Sequence, residues 1–336
     1  MAGPVADAGV TLSAAAMRRV LKYEPRDLTV SVEAGMRWNE LTALLAKSRQ
    51  AIPLDPPFSG TATVGGVVAA NASGPRRRLY GGARDMVIGM TFATLDGKLI
   101  DTGGMVVKNV AGLDIGKLMI GSFGTLAAIV SVNFRVHPMP AGTRTFRWES
   151  RGAEEATARS GEILKSVLQP MAIDIRKRGG VYELLVQAGG SETVLGRYAR
   201  DLEGGEALEG DAERQAWREI RQFTPLWLAT YPEGAVVRVS SKLSEVARVL
   251  TALPEMAVAR AGTGVCHGYF KEAEEAGQWM KERRVGTAAI EFAPQTFRER
   301  EVLWPAPGKD LAVMESIKDM FDPDRLLNRG RLYGRI

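Results

Sequence analysis

Residues 53–82 read PLDPPFSGTATVGGVVAANASGPRRRLYGG. They combine a proline-stiffened approach, the small-residue run TATVGG, and a second small-residue turn, NASG, followed by three arginines. Glycine, alanine and serine carry too little bulk to hold a ligand off the main chain, so a planar ring or a pyrophosphate can come within hydrogen-bonding distance of backbone N–H groups. Such a surface suits a large, flat, anionic cofactor. Gly-Gly also serves strand bends and close backbone packing, and composition alone leaves both uses open. A second segment, 103–136, reads GGMVVKNVAGLDIGKLMIGSFGTLAAIVSVNFRV; its glycines at 112, 116, 121 and 124 bracket a predicted helix, after which the chain enters a long predicted strand. Lys108, Lys117 and Ser122 could meet phosphate or carboxylate there, although a lysine between strands is commonly just solvated. Residues 105–107 and 119–120 read as core.

Other chemistry-bearing residues are sparse. Cys266 is the single cysteine, which excludes an internal disulfide and any cysteine-based zinc or iron–sulfur site within this sequence. His137 and His267 lie 130 positions apart and cannot form a local His-x-His or HExxH ligand pair, so no metal site is expected. His267, in AGTGVCHGYF, is a candidate base, though a lone histidine near a strand end more often has a structural role; His137, before Pro138, reads as a surface linker residue. The glycines at 262, 264 and 268 have the wrong spacing for a dinucleotide fingerprint. Arg76, Arg77 and Arg78 are candidates to contact phosphate or an acidic partner, with a solvated surface run as the alternative. Asn71-Ala72-Ser73 formally matches a glycosylation acceptor, but without secretion the match is empty.

The elements that must position these residues are short. Residues 28–35, LTVSVEAG, alternate as a half-buried strand should and end at a glycine. Leu41, Leu44 and Leu45 give 38–47 a helical spacing; strands are predicted at 87–93, 98–102 and 127–136, with a turn at Asp96-Gly97, and a helix at 114–120. Texture changes near Pro138-Met139-Pro140, which divides the chain into 1–140 and 141–336. Beyond it, strands predicted at 143–149, 171–176, 182–187, 235–240, 256–262 and 288–292 are separated by helices near 153–168, 192–202, 212–222, 243–253 and 271–284. This pattern suggests an antiparallel sheet covered on one face by helices, built as two related βαβ-type halves. Residues 311–321 have helical period and stop at Asp322-Pro323.

A chain of 336 residues has room for two domains. With 45% hydrophobic and 25% charged residues and a mean hydropathy of −0.09, it reads as an ordinary globular protein. Its most apolar stretch, 64–72, is too short to cross a bilayer and is interrupted by Gly65 and Gly66. The opening MAGPVADAG lacks the order of a signal peptide, which makes the cytoplasm the expected location. A formal net charge of +5 and a pI near 9.3 permit acidic ligands, and the absence of RRM or zinc-finger signatures argues against nucleic acid.

Three strings together resemble the FAD-binding domain of the vanillyl-alcohol oxidase/p-cresol methylhydroxylase superfamily, and most closely the FAD-binding subunit of bacterial glycolate oxidases: DLTVSVEAGMRWNEL, PLDPPFSGTATVGGVVAANASGPRRRLYGGARDMVIGM and MVVKNVAGLDIGKLMIGSFGTLAAI. The C-terminal IKDMFDPDRLLNRGRL (317–332) is similar to the family's ending, in which a helix meets Asp-Pro and then Leu-Asn-x-Gly. The resemblance implies an α+β fold: a PCMH-type FAD-binding domain followed by a ferredoxin-like antiparallel sheet with helices acting as a cap or substrate domain. It covers most of 20–138 and the last twenty residues; 145–310 fits in texture alone.

By resemblance, Pro56, Thr63, Val64, Gly65 and Gly66 lie along the flavin ring and ribityl chain, largely through backbone groups. Asn71, Ser73 and Gly74 sit beside the ribityl and phosphate part, and Gly124 and Ile129 belong to the turn and strand that close the site. Family members carry a small βαβ subdomain with a glycine-rich pyrophosphate loop before the segment matching 27–35; only 26 residues precede it here, so the expectation is a domain lacking most of that subdomain. The implied activity is FAD-dependent oxidation of a CH–OH group in a 2-hydroxy acid. Electrons would pass through non-covalent FAD to an iron–sulfur subunit, beside a related flavin subunit, in a cytoplasmic complex that reaches the inner membrane through its partners. Oxidation of that kind needs a cation for the carboxylate and a base for the hydroxyl proton, and the sequence assigns neither. A non-catalytic assembly subunit that keeps the fold without FAD is the alternative reading.

Overall fold

The computed structural model describes residues 9–105, 114–282 and 285–336. The chain divides into two compact units, one formed by Met1–Ser73, Gly81–Met139 and Ala306–Ile336, the other by Gly74–Tyr80 and Pro140–Pro305. Residues 306–336, placed with the second domain in the sequence reading, therefore pack with the first unit, and Gly74–Tyr80 packs with the second.

In the first unit, strands β1 (Val20–Glu24), β2 (Thr29–Glu33), β4 (Val87–Ala93), β5 (Leu99–Gly103) and β6 (Ala128–Arg135) form an antiparallel sheet of order β1-β2-β6-β4-β5, while β3 (Gln50–Ala51) pairs with β7 (His137–Pro138). Strand β2 was read as half-buried; all five of its residues are buried. Val30 and Val32 enter the core, and Glu33 on the other side is satisfied by the Arg19 amide at 2.7 Å and the Arg19 guanidinium at 2.8 and 3.0 Å. Helix Trp38–Ala46 turns Trp38, Leu41 and Leu45 inward, and the Trp38 ring meets Phe134 edge-on at 6.1 Å between centroids. The C-terminal helix Asp310–Phe321 returns to this unit, where the Phe321 ring lies 6.3 Å from that of Phe92.

The second unit is one eight-stranded antiparallel sheet: β8 (Gly142–Ser150), β9 (Ala172–Arg178), β10 (Val181–Gly190), β11 (Glu206–Leu208), β12 (Ala235–Ser240), β13 (Met256–Arg260), β14 (Val265–Phe270) and β15 (Thr287–Phe292), in the order β11-β8-β10-β9-β13-β14-β12-β15. Helices Ala153–Lys165 and Glu192–Asp201 interleave with β8–β11, and helices Val246–Ala252 and Ala273–Glu282 with β12–β15. Each half is thus a βαββαβ motif with its first and third strands central, the ferredoxin-like arrangement. The halves join where β9 pairs with β13, Val258 opposite Arg176.

Ile173, Ile175, Leu184, Val186, Val237 and Val239 line the face beneath those four helices. The alternate residues Leu185, Val236, Val258 and Tyr269 face the other way and pack with Trp217, Ile220, Phe223 and Trp227 of helices Gly210–Arg221 and Phe223–Thr230. The expectation of helices on one face is therefore corrected: both faces carry them. Glu213 can be buried in this second layer because its carboxylate accepts from Thr143 at 2.8 Å, and from Thr145 and Gln187 at 3.0 Å each.

Cys266 sits on the face of β14 beneath the four interleaved helices, with Ile175 and Val239, where burial pushes its thiol up to about 12. It should therefore resist thiol reagents in the native protein and react on addition of denaturant; rapid native labelling at mildly alkaline pH would contradict this placement.

Candidate flavin site

The stretch 64–69, to which the sequence pattern assigns no element, is a helix, Val64–Ala69. Thr63 caps it: its backbone is extended, and its Oγ1 accepts the Gly66 N–H at 3.2 Å. Val64, Val67 and Val68 are buried, the i, i+3, i+4 pattern of a helix laid against a sheet. A capping threonine before that pattern was the signal available in the sequence.

The amides of this turn are already spent inside the protein. Val64 N–H donates to Met36 O at 2.9 Å, Gly65 N–H to Ala34 O at 2.8 Å, and Gly66 N–H to the cap. These three amides are thus committed within the protein, and what the helix can offer a ligand is its bare surface. The two glycines differ in what they do. A Cβ on Gly65 would meet Ala34 Cβ at 2.8 Å, so its bareness lets the helix approach the strand. A Cβ on Gly66 would meet only Thr63 Oγ1, at 3.1 Å, and the residue is exposed. Packing within the protein thus explains Gly65, whereas Gly66 leaves an open surface that the fold itself has little need to keep bare.

The helix ends in a turn that reaches the second candidate segment. Asn71 takes φ 48°, a left-handed conformation that asparagine tolerates after a helix C-terminus, and its amide donates to Val68 O at 3.0 Å. Gly121 N–H donates to Val68 O at 3.2 Å and Phe123 N–H to Ala69 O at 2.9 Å. Segments 63–71 and 121–125 are therefore one connected piece of backbone. Gly124 lies in the turn at φ 71°, Ile129 is half-buried in β6 opposite Phe92, and Pro56 is buried on the approach. Asp55, Phe58, Asn71 and Phe123 all hold φ between 48 and 57°, and backbone kept in this sparsely populated region concentrates where function requires a fixed shape.

The remaining candidates separate. Ser73 ends a stretch of the first unit and Gly74 opens one of the second, so the unit holding the other eight residues does not include Gly74. Ser122 is buried and used locally, donating to Met119 O at 2.9 Å and accepting from Gly124 N at 3.3 Å. Lys117 lies 3.6 Å from Asp114. Lys108 and Gly112 fall outside the described residues. Arg76, Arg77 and Arg78 are half-buried and do not form a solvated run; Arg78 donates to Gln169 at 3.4 Å, and its stem covers Gly262. His137 pairs with Ala51 through β7. His267 lies in β14 with Nε2 3.4 Å from Glu291 Oε2, and this contact holds the Glu291 carboxyl below its usual range although burial alone would raise it. Among the described residues, no group of three or more His, Cys, Asp or Glu could hold a metal, and no helix is long and apolar enough to cross a membrane.

The sequence reading missed Lys318, whose ammonium group is fully buried. It donates to Thr125 O at 2.7 Å and Leu327 O at 3.0 Å, and it pairs with Asp322. Asp322 in turn accepts the amides of Leu326 at 2.9 Å and Leu327 at 2.7 Å. Burial alone would raise the Asp322 carboxyl; Lys318 and the two amides outweigh it and hold the group below the ordinary range.

A family model described as FAD binding domain matches residues 1–103. Glycolate oxidase subunit GlcE of Escherichia coli K12 is 35% identical over 218 residues, covering 64% of this chain and 59% of that protein. Glycolate oxidase subunit GlcD of Bacillus subtilis 168 is 24% identical, with 98% of this chain and 80% of that protein covered, and a D-lactate dehydrogenase of Anaerostipes hadrus is 27% identical over 96% and 80%. Among solved structures, alkyldihydroxyacetonephosphate synthase superposes with a TM-score of 0.67 at 19% identity, over 93% of this chain and 65% of that one. The match thus spans a little over half of GlcE and about two thirds of the synthase chain. Residues 1–103 thus match an FAD binding domain, and the chain has the α+β fold of that synthase. Its similarity in sequence is to glycolate oxidase subunits and D-lactate dehydrogenases.

Proposed function

We propose that this chain is the FAD-binding subunit of a glycolate oxidase-like oxidoreductase acting on a small 2-hydroxy acid, with an iron–sulfur chain as electron acceptor and a related flavin subunit beside it. The observation that carries the reading is the exposed surface at Gly66, bare of any side chain, on a helix joined by hydrogen bonds to the Gly121–Thr125 turn, against which a flat ring would lie. Bound there, FAD would supply a two-electron acceptor for the hydroxyl-bearing carbon. The protein's own part is to present a surface without side chains at Gly66 and to fix the backbone at Pro56, Asn71, Gly124 and Ile129 around it. The single cysteine supports placing any iron–sulfur cluster on another polypeptide. Anaerobic addition of glycolate or D-lactate to the purified yellow protein should bleach its visible absorption. A spectrum unchanged by either acid would remove the substrate class while leaving flavin binding intact.

The flavin is expected to be non-covalent. Covalent attachment uses a His, Cys or Tyr at the ring, and PFSGTATVGG contains none. Acid precipitation should release the yellow colour into the supernatant, and colour retained in the pellet would contradict the assignment.

A further inference from the structure

We infer that the C-terminal segment 318–328 is a strap that sets the shape of the Ser122–Thr125 turn, with Asn328 and Lys318 as positioning residues for the flavin. Three consecutive carbonyls of the turn are held by it. Asn328 Nδ2 donates to Phe123 O at 2.8 Å and Gly124 O at 3.2 Å, and Lys318 Nζ donates to Thr125 O at 2.7 Å.

The strap is itself fixed. Asp322 bonds Lys318 and accepts the amides of Leu326 and Leu327, and Lys318 closes the loop on Leu327 O, immediately before Asn328. The turn needs such support because Phe123 holds φ 53°, a left-handed conformation that a non-glycine residue adopts at a cost, whereas Gly124 takes its φ of 71° freely. Fit is close at one point: a Cβ on Gly124 would lie 2.7 Å from Asn328 Nδ2, so the amide can reach its two carbonyls only because residue 124 is glycine. On the other side, the amides of Gly121 and Phe123 grip Val68 O and Ala69 O at the C-terminus of the helix that carries Gly66. A continuous line of hydrogen bonds therefore runs from the strap through the turn to the proposed ring surface, all within the first unit. Loss of the Asn328 amide frees two carbonyls and lets the Phe123–Gly124 peptide rotate, which changes the shape presented to the ring.

This inference rests on the flavin reading above. The test compares Asn328→Ala with Leu45→Ala, a core truncation near the end of helix Trp38–Ala46, in the full chain. FAD affinity is measured by fluorescence titration and the bound flavin by visible circular dichroism. Asn328→Ala should weaken FAD binding about tenfold or more and alter the flavin's dichroic spectrum, while Leu45→Ala, whatever its thermal stability, keeps the parent spectrum. Parent-like affinity and spectrum in Asn328→Ala would overturn the strap while leaving the flavin site standing, as would the same spectral change in both variants. A parent protein that binds no FAD would overturn both.

Discussion

Gly66→Val should strip FAD from a protein that stays folded, and Gly65→Val should do the reverse and damage the fold first. The structure separates these neighbours by what a side chain would meet. At Gly66, a Cβ meets the capping Thr63 hydroxyl at 3.1 Å, which must give by a few tenths of an ångström, while the helix propensity of valine is no worse than that of glycine, so thermal stability should move by about 1 kcal/mol. On the ligand side, the added isopropyl group would hold a planar ring away from the helix. A loss of about 100-fold in affinity, roughly 2.7 kcal/mol, is the expected scale. At Gly65, the new Cβ is driven against Ala34, where the helix leans on the chain leaving β2; overpacking of this kind costs about 1–3 kcal/mol. Flavin titration and thermal melts of both variants give four numbers. If Gly66→Val bound FAD like the parent, the proposed surface would be in the wrong place.

Lys318→Met should destabilise the first unit by about 3–5 kcal/mol, because it leaves Asp322 buried without its cation. Urea denaturation followed by the fluorescence of Trp38, a first-unit tryptophan buried against Phe134, reads this, provided that the second unit's tryptophans have been replaced by phenylalanine. Pairing Lys318→Met with Asp322→Asn should recover part of the loss, since no buried charge is then stranded. The same pair gives a pH signature. Asp322 titrates below its unfolded value of about 3.9, so its contribution is fully present above that value and is lost as pH falls through the lower folded value. Acid should therefore destabilise the parent more than the double variant over that range. A change in stability below about 1 kcal/mol for Lys318→Met would mean that the lock is not buried as described.

How much of this could be read in the sequence depended on the range of the interactions involved. In the second unit, six of the eight strands and the four interleaved helices were visible in the right order, because periodicity is local; β11 and β14, one strand of each half, were not, the first being three residues long and the second following β13 after a short turn. The face on which helix Gly210–Arg221 would lie was not visible: an amphipathic period shows that Trp217 and Ile220 turn inward, but not toward which side of a sheet. Helix Val64–Ala69 was hidden by its two glycines, which argue for a bend, while Thr63 at the cap and three valines argued for the helix that forms. The resemblance pointed to segments 56–74 and 124–129, but only the fold reveals that the amides of 64–66 are consumed by Met36, Ala34 and Thr63. Least legible was the strap. Lys318 and Thr125 are 193 positions apart, and nothing in IKDMFDPDRLLNRG indicates which carbonyls its lysine and asparagine will hold.

The central claim is that the surface at Gly66, completed by the Gly121–Thr125 turn, holds FAD. Titrating the purified, flavin-depleted full chain with FAD and following flavin fluorescence tests it most directly. The account predicts saturable quenching with one FAD per chain, weakened about 100-fold in Gly66→Val and retained in Cys266→Ser. Absence of saturable binding in the parent protein, or binding that survives Gly66→Val undiminished, would contradict it.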